Sequence, residues 1–598
     1  MKTGTTIGMT AVGVLGMLAG SAMGQCTTTK LTDHEPQPQD HFGQAVTTAG
    51  NLMVIGTPGE DTANTVNGGS IFFYERVNGA WSYTNSWGLV SDDDNWGRSM
   101  ATDGTLVATG YGGGTFAGGF PSGWGSIWKK VNGAWDQLNM PSLSLAAGDD
   151  YGFSCAAGNG RVVFGSPRRD FNAGDDMGGV FAYRVDAQNN AQLVSTIVHP
   201  AFSTQAGEHF GYSVAIAPQG GPNAGMLVVG APDRDNGATA STGGIYVFNQ
   251  TGQGYQLQNL PSQWDEAFQF NGLAVGTNGS WIASGAPSFG NARGRVFLYE
   301  KLANGNWEVA GFISGPEGDG GNFGSSISMS GEWMAIGAPG FDKVYVFHET
   351  NGSWALKRVV SRASVGGSSS WGASIALNAS DVAIGDPGDT VSGFAGAGAV
   401  YVKSLAQFAG GDDADAAQSI SLPTSISACS DGATPTSSGL PGMCGLSINA
   451  PDLYFTFTAP RSGTVVADTI GSAFDTVLSA HAPLPTWQDS NTLACSDDIN
   501  GAQNRQSLVT FPVQQGQQYW VRIAGYNGAV GAFDLNVRFD CPADFDSDGT
   551  VDFFDYDAFV ICFEGGACPP GKTADFDADA TVDFFDYDAF VLAFESGC

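Results

Sequence analysis

The chain has 598 residues, with 87 Gly, 24 Lys and Arg against 58 Asp and Glu, and a formal net charge of −34. A surface this acidic repels a phosphate backbone, which argues against nucleic acid as a partner and favours divalent cations. The length exceeds what one hydrophobic core supports, and the glycine content indicates a turn-rich, mainly β protein of several domains.

Residues 1–24 have the pattern of a secretory signal peptide. Lys2 is followed by an apolar run over residues 7–18 and by the small-x-small cleavage site Ala22-Met23-Gly24. No other stretch approaches eighteen uninterrupted apolar residues, so the sequence predicts no membrane span. We expect a protein that is secreted, extracellular or at the cell surface, where its nine cysteines can form disulfide bonds.

Residues 25–406 contain seven copies of one sequence unit. Each copy has an aromatic-Gly pair, an alternating run, a glycine turn and an apolar run ending in Gly-Ala-Pro or a variant, then a third and a weaker fourth run. Period-2 runs between glycine turns predict a four-stranded antiparallel meander in each copy. The opening pairs are Phe42-Gly43, Trp96-Gly97, Tyr151-Gly152, Phe210-Gly211, Asn271-Gly272 (without the aromatic), Phe323-Gly324 and Trp371-Gly372.

Seven meanders of this kind predict a seven-bladed β-propeller. A four-stranded sheet of this size cannot bury both faces alone, so the copies must stack, and a closed ring is the usual solution. The last copy ends after Val402 without a fourth strand, and residues 27–31 are placed to supply it. We therefore predict that the N-terminal strand completes the seventh blade and removes two exposed edges.

The Gly-Ala-Pro phrases at residues 229–232, 284–287 and 336–339 resemble the FG-GAP repeats of the integrin α-subunit propeller and its bacterial relatives. Many of those propellers carry a calcium loop between the first two strands of a blade. Here these links are tight hairpins, such as Ser330-Gly331, which are too short to wrap a cation. Acidic residues follow the Gly-Ala-Pro position instead, either as metal ligands or as solvated carboxylates: Asp170, Asp175, Asp176, Asp233 and Asp235.

The sequence predicts no catalytic site. His41 and His209 share a repeat position with Asn95 and Asp150, which indicates a polar turn position rather than a general base. Cys155, in a predicted strand, is expected to be a small buried hydrophobe. Loops after Gly-Ala-Pro vary most, and we expect an extracellular protein or carbohydrate to bind there. The longest, over residues 112–124, has aromatic residues that either stack on sugars or pack internally: Phe116, Phe120 and Trp124.

Residues 407–540 are predicted to form a linker followed by a β-sandwich. Alternating segments lie at residues 452–460, 463–468, 474–479, 494–498 and 517–523. The Phe-Asp-Thr-Val-Leu and Cys-x-Asp-Asp phrases followed by Tyr-Trp-Val-Arg-Ile resemble the bacterial pre-peptidase C-terminal domain, which implies an accessory module without chemistry of its own. Asp475, Asp497 and Asp498 either meet as a cation site or are solvated turn carboxylates.

Residues 541–598 carry the strongest chemical signal. Two twelve-residue acidic stretches, 31 residues apart, place oxygen ligands at EF-hand loop positions, and hard oxygen donors at this spacing predict Ca²⁺. Ala580 replaces glycine at position 6 of the second loop, so we expect that site to be weaker. The predicted ligands are Asp544, Asp546, Asp548, Thr550, Asp552 and Asp555, then Asp575, Asp577, Asp579, Thr581, Asp583 and Asp586.

The tandem loops, each followed by one predicted helix, resemble a type I dockerin module. The resemblance implies antiparallel helices over residues 554–563 and 585–594 and docking to a cohesin-like domain on another protein. Two disulfide bonds can crosslink this small core, in any of three pairings of its four cysteines: Cys541, Cys562, Cys568 and Cys598.

Two functional hypotheses follow from these features, beside a third, a purely structural role in an extracellular layer. The first is a secreted or cell-surface calcium-binding protein that serves as a non-catalytic binding or adhesion scaffold. The alternative is an exported enzyme acting on polysaccharide, or a complex subunit, attached through its dockerin-like tail. Paired carboxylates about 5.5 or 6.5–9.5 Å apart in a cleft favour the alternative.

Overall fold

The computed structural model describes residues 26–596, apart from 62–66, 89–94, 112–121, 171–175, 201–206, 236–239, 253, 260–268, 363–369, 413, 436–446, 448, 483–490, 500–503, 547–550, 570–571 and 578. The predicted signal peptide lies outside the described residues. Within them, no helix has the length and apolar character needed to cross a membrane.

The first two thirds of the described chain form seven four-stranded antiparallel sheets. The second strand of each sheet is almost entirely apolar and buried, as in Trp333–Ala338, because both of its faces meet neighbouring sheets.

Sheets one to three are β2 (Ala45–Ala49), β3 (Leu52–Thr57), β4 (Ser70–Val77) and β5 (Ala80–Gly88); β6 (Ser99–Thr102), β7 (Leu106–Tyr111), β8 (Trp124–Val131) and β9 (Ala134–Gln137); and β10 (Ser154–Gly158), β11 (Arg161–Ser166), β12 (Gly179–Val185) and β13 (Ala191–Val198). Sheets four to six are β14 (Ser213–Ile216), β15 (Leu227–Ala231), β16 (Gly244–Thr251) and β17 (Gly254–Asn259); β18 (Ala274–Thr277), β19 (Trp281–Ala286), β20 (Arg295–Lys301) and β21 (Trp307–Ser314); and β22 (Ile327–Ser330), β23 (Trp333–Ala338), β24 (Lys343–Thr350) and β25 (Ser353–Ser361).

The seventh sheet takes its fourth strand from the N-terminal end of the chain. Its order is β1 (Thr29–Leu31), β28 (Ala399–Ser404), β27 (Asp381–Asp386) and β26 (Ser374–Leu377). Strand β1 pairs antiparallel with β28, with Lys30 opposite Tyr401. The prediction that the N-terminal strand completes the seventh sheet is therefore confirmed for residues 29–31.

Consecutive sheets contact each other through their first strands, and the seventh contacts the first. In five places within the described residues, a serine hydroxyl at the start of one sheet donates to the carbonyl of the glycine in the opening pair of the next copy. The last of these donors, Ser374 Oγ, reaches Gly43 O at 2.8 Å and joins the seventh sheet to the first. The other four bonds are Ser99 to Gly152, Ser154 to Gly211, Ser213 to Gly272 and Ser326 to Gly372.

The next unit is two facing β-sheets around one apolar core. The core residues come from both sheets and include Phe455, Val465 and Leu535. Residues 407–441, predicted as linker and loop, contribute two strands to this unit. These strands were not predicted because their alternation is short and lies within Ser- and Thr-rich sequence. The sheets are β29 (Gln418–Ser419), β31 (Asp452–Thr458), β36 (Gln518–Gly525), β33 (Thr476–His481) and β34 (Thr492–Ser496), against β30 (Thr424–Cys429), β37 (Ala532–Phe539), β32 (Gly463–Asp468) and β35 (Leu508–Val513).

Arg358 joins the sixth sheet to this second unit. It is fully buried in β25, and its guanidinium donates to Ala409 O at 2.7 Å and to Cys429 O at 3.0 Å. Val359 N also donates to Gly432 O, and Cys26 forms a disulfide with Cys429. Both the sixth sheet and the N-terminal segment are thus fixed to the second unit.

Two helices form the C-terminal module, Phe553–Phe563 and Phe584–Ser596. Aromatic contacts pair residues 556, 559 and 563 of the first helix with 594, 590 and 587 of the second, so the helices run antiparallel as predicted. The Phe559 and Phe590 rings stack with centroids 4.0 Å apart. Cys562 and Cys568 form one disulfide of this module.

Candidate metal-binding and ligand-binding sites

The first acidic tail loop brings three predicted ligands together. One carboxylate oxygen each of Asp544, Asp546 and Asp555 lies within 4.8 Å of the other two. Asp544 and Asp555 are buried. The predicted ligands Asp548 and Thr550 lie outside the described residues.

The second acidic loop groups Asp575, Asp577 and Asp579 in the same way. Asp575 Oδ2 accepts a hydrogen bond from Ala580 N at 3.0 Å, while its buried Oδ1 has no hydrogen-bond partner. Ala580 has a φ of 71°, in the left-handed region that disfavours a residue with a β-carbon. The strain expected at position 6 of this loop is therefore present in the backbone.

The carboxylates at positions 9 and 12 of both loops bind backbone amides. Asp552 and Asp583 cap the two helices by accepting from Phe554 N and Phe585 N, each at 2.8 Å. Asp555 accepts from Asp546 N at 3.0 Å and from Asp552 N at 2.9 Å. Asp586 accepts three amide hydrogen bonds, first from Asp583 N and then from Asp577 N and Phe576 N, and these bonds lower its pKa. Thr581 Oγ1 donates to Asp579 at 2.6 Å.

Two pairs of phenylalanines project from the starts of the tail helices. Phe553 and Phe554 are 69% and 67% exposed, and Phe584 and Phe585 are 66% and 69% exposed. Both pairs follow an acidic loop directly, so the duplication places the same apolar residues beside each loop. Large apolar side chains exposed in a repeated arrangement are typical of an interaction surface.

The second unit has an acidic cluster where the sequence predicts a possible cation site. Oxygens of Asp475, Asp497 and Asp498 lie within 4.8 Å of one another. Partial burial, followed by the neighbouring Asp498 carboxylate, raises the pKa of both Asp475 and Asp497. Arg505 Nη1 lies 3.4 Å from Asp475 Oδ2 and compensates part of this charge.

A cleft of about 1200 Å³ lies where the sixth sheet meets the second unit. Its lining includes Trp333, His348, Lys357 and Asp412. Burial lowers the pKa of Lys357 to about 8 and raises that of Asp412 to about 7. Both Asp412 oxygens accept hydrogen bonds from Thr434, so this carboxylate fixes one wall of the cleft.

The structure explains the shared position of His41 and His209 in the repeat. Both have left-handed φ angles, 59° and 53°, as do Asn95, Asp150 and Asn322. Polar residues with short side chains, and histidine, tolerate this conformation, which supports the interpretation as a turn position. His209 Nδ1 pairs with Asp233 Oδ2 at 2.6 Å.

Cys155 lies in β10, is a free cysteine and is partly buried against the apolar core between the second and third sheets. Burial raises the pKa of its thiol to about 12, which keeps the thiol protonated and unreactive at neutral pH. This agrees with the predicted role as a small hydrophobe. Trp124 begins β8, and its ring centroid lies 6.2 Å from that of Trp96. Phe116 and Phe120 lie outside the described residues.

Other predicted loop carboxylates fold back on their own loops. Asp170 Oδ1 accepts from Asp176 N at 2.8 Å, and Asp235 Oδ1 accepts from Ser241 N at 2.7 Å. Asp175 lies outside the described part of the chain. The cluster of Asp33, Asp40 and Glu60 was not predicted from the sequence. The signal that could have revealed it is Glu60, which stands where two other copies have arginine.

Comparison with known proteins gives one family match. An FG-GAP repeat matches residues 27–74, from β1 into β4 of the first sheet. No curated protein matches the chain.

Solved structures give weaker likenesses. Periplasmic gluconolactonase PpgL of Pseudomonas aeruginosa is 14% identical with a TM-score of 0.37, covering 59% of this chain and 94% of its own. Sqt1 of Saccharomyces cerevisiae is 12% identical with a TM-score of 0.34, covering 64% and 99%. The pre-peptidase C-terminal domain of collagenase from Bacillus anthracis is 14% identical with a TM-score of 0.14, covering 20% and 93%.

Proposed function

We propose that this protein is a secreted or cell-surface calcium-binding scaffold without catalytic activity. In this proposal the seven sheets are the blades of an FG-GAP-like propeller that binds an extracellular protein or carbohydrate. The second unit is an accessory sandwich resembling the pre-peptidase C-terminal domain. The tail is a dockerin-like module that calcium orders for docking to a cohesin-like partner.

The arrangement of the seven sheets supports the propeller part of the proposal. The repeated serine-to-carbonyl bonds link one sheet to the next, and the bond from Ser374 to Gly43 links the last to the first. Strand β1 completes the seventh sheet. A ring closed by pairing the N-terminal strand with the last repeat would give a rigid platform, on which variable loops are the usual place for binding.

Calcium binding in the tail rests on the chemistry of the two loops. Three carboxylates converge in each loop, and calcium takes about six to eight oxygen ligands. A bound ion would be held by Asp544, Asp546 and Asp555 in the first loop and by Asp575, Asp577 and Asp579 in the second. It would neutralise their repulsion and fix each loop against its helix.

The exposed phenylalanine pairs carry the docking proposal. Phe553 and Phe554 mirror Phe584 and Phe585 across two antiparallel helices, and all four are about two-thirds exposed. A soluble module gains nothing from displaying four such rings to water, whereas a partner with an apolar surface would bury them. Calcium, by ordering the adjoining loops, would hold the rings in position for that contact.

Two measurements on the full chain test the proposal. Calorimetric titration with calcium should show one bound ion fewer in Asp544→Ala and one fewer in Asp575→Ala. Retention of the purified chain on cell envelopes of its source organism should require calcium and fall at least tenfold in the double variant Phe554→Ser/Phe585→Ser. That variant should keep the wild-type calcium stoichiometry.

Phe394→Ser is a matched control, because Phe394 is 41% exposed but lies in the loop between β27 and β28 instead of in the tail. It should leave envelope retention unchanged. Unchanged calcium stoichiometry in both aspartate variants would contradict calcium binding by the tail. Retention that survives removal of both phenylalanines would contradict docking through this surface.

A further inference from the structure

Three carboxylates meet where the N-terminal segment crosses the first sheet. Asp33 lies two residues after β1, Asp40 precedes the Phe42-Gly43 pair, and Glu60 follows β3. One carboxylate oxygen of each lies within 4.8 Å of the other two. The cluster is remote in sequence from both tail loops and lies outside the hairpins between the first two strands of each sheet.

The cluster is buried, and no lysine or arginine of the described chain neutralises it. The Asp33 side chain has no exposure to solvent, and Asp40 is 1% exposed. Each carboxylate has one buried oxygen without a hydrogen-bond partner: Asp33 Oδ2, Asp40 Oδ1 and Glu60 Oε2. Within the described chain no lysine or arginine forms an ion pair with any of the three. Buried carboxylates of like charge are costly unless a cation joins them.

The remaining polar contacts of the cluster are few. Asp33 Oδ1 accepts from Glu35 N at 3.2 Å and lies 3.0 Å from Nδ1 of the half-exposed His34. Asp40 Oδ2 accepts from Gln37 N at 2.5 Å. These contacts fix the direction of the Asp33 and Asp40 carboxylates and leave the other oxygen of each without a hydrogen-bond partner.

The third sheet provides an internal comparison. Glu60 and Arg169 occupy the same position: their amides donate to Thr57 O and Ser166 O, each at 3.2 Å, and their carbonyls accept from Gly69 and Gly178. Arg169 there forms an ion pair with Asp149, which corresponds to Asp40. Arg234 holds this position in the fourth sheet. The first sheet thus has a carboxylate where the third and fourth have a cationic side chain. The seventh sheet also has a carboxylate at this position, Asp389, but Lys30 pairs with it at 2.7 Å.

We propose that Asp33, Asp40 and Glu60 bind a divalent hard cation of the calcium class that replaces the missing arginine. All three ligands are oxygens, which such ions prefer, and solvent or backbone oxygens would complete the coordination. The ion would tie the segment following β1 to the loop following β3. Because β1 belongs to the seventh sheet, the ion would lock the junction at which the ring closes.

The test uses the full chain in a background of Asp544→Ala/Asp575→Ala, which disables the tail loops. Calcium and magnesium are titrated separately by calorimetry, and thermal unfolding is followed with and without each ion. The added variant Glu60→Arg copies the third and fourth sheets. We expect the Glu60→Arg protein to bind one ion fewer than the background protein. The rise in unfolding midpoint that calcium causes by binding at this site should be absent.

Glu308→Arg is the matched control, since it makes the same charge change at an exposed position in β21 and should keep the full stoichiometry. If Glu60→Arg does not fold, Glu60→Gln keeps the size of the side chain and should bind the ion at least tenfold more weakly. Equal stoichiometry and equal affinity in the folded Glu60 variants would overturn the proposal. That outcome would mean that the three carboxylates share protons instead of a metal ion.

Discussion

His481 in β33 should make the second unit sensitive to acid. The side chain is fully buried, and burial, followed by the nearby Arg522, lowers its pKa from 6.5 to about 4. A lowered folded-state pKa means that the stability contributed by neutral His481 is complete above pH 6.5 and is lost as pH falls towards 4. Between pH 7.5 and 4.5 the loss should be about 2–3 kcal/mol.

Denaturant unfolding of wild type and His481→Gln at both pH values checks this prediction. Glutamine can retain a hydrogen bond to Ser479, which lies 2.9 Å from Nε2 of His481, but cannot titrate. The free energy of unfolding should therefore fall less with acid in the variant. Parallel pH profiles for the two proteins would show that His481 does not control the acid response.

Ala580 should weaken the second tail loop through its own backbone. Its φ of 71° costs an L-residue with a β-carbon about 1 kcal/mol relative to glycine. Ala580→Gly should therefore strengthen calcium binding in that loop about fivefold, as measured by calorimetry on the full chain. Ala558→Gly, within the first tail helix, should lower stability without this gain; equal affinities in wild type and Ala580→Gly would refute the strain argument.

At the level of the strands, glycine in the Gly-Ala-Pro position sets how closely two sheets approach. A β-carbon on Gly230 would lie 2.1 Å from Gly272 O of the next sheet and 2.3 Å from Ser213 Oγ. Gly230→Ala should therefore lower the free energy of unfolding by about 1–3 kcal/mol. Gly311→Ala is the control, because a β-carbon there has no neighbour within 4 Å.

Thermal and denaturant unfolding of both glycine variants measures the difference. Gly311→Ala should be neutral or slightly stabilising, because alanine lowers the entropy of the unfolded chain. A Gly230→Ala protein as stable as wild type would mean that adjacent sheets can move apart without cost.

The sequence predicted the strands well because their signals are local. Alternation and glycine turns predicted the meanders, and the missing fourth strand after Val402 predicted the role of β1. Strand β30 was missed because its alternation is short, and its pairing with β37 depends on residues more than 100 positions away.

The candidate sites likewise differ in whether their sequence signal is local or long-range. The tail loops are visible in sequence because their ligands lie within twelve residues of each other. The Asp33, Asp40 and Glu60 cluster is not, because it forms only when β1 crosses to the seventh sheet and brings Asp33 beside the first. The cleft beside Lys357 likewise needs the second unit to dock on the sixth sheet.

At the scale of the whole molecule, completion of the seventh sheet and docking of the second unit use the same segment. Cys26 lies just before β1 and is bonded to Cys429 at the end of β30, 403 residues later. A crosslink closing so long a loop stabilises by roughly 2–5 kcal/mol, chiefly by restricting the unfolded chain. Lys403 in β28 adds an ion pair with Asp431 at 3.0 Å. The two units are therefore expected to unfold together.

Arg358 should be the residue on which this coupling depends most. Arg358→Leu removes the guanidinium bonds to Ala409 O and Cys429 O and leaves buried carbonyls without donors, at a cost of about 3 kcal/mol. In a Cys26→Ser/Cys429→Ser background, calorimetry should then resolve two unfolding transitions in place of one. Arg461→Leu is the control, because Arg461 lies on the surface of the second unit over Phe539. A single transition in the Arg358 variant would mean that packing alone couples the two units.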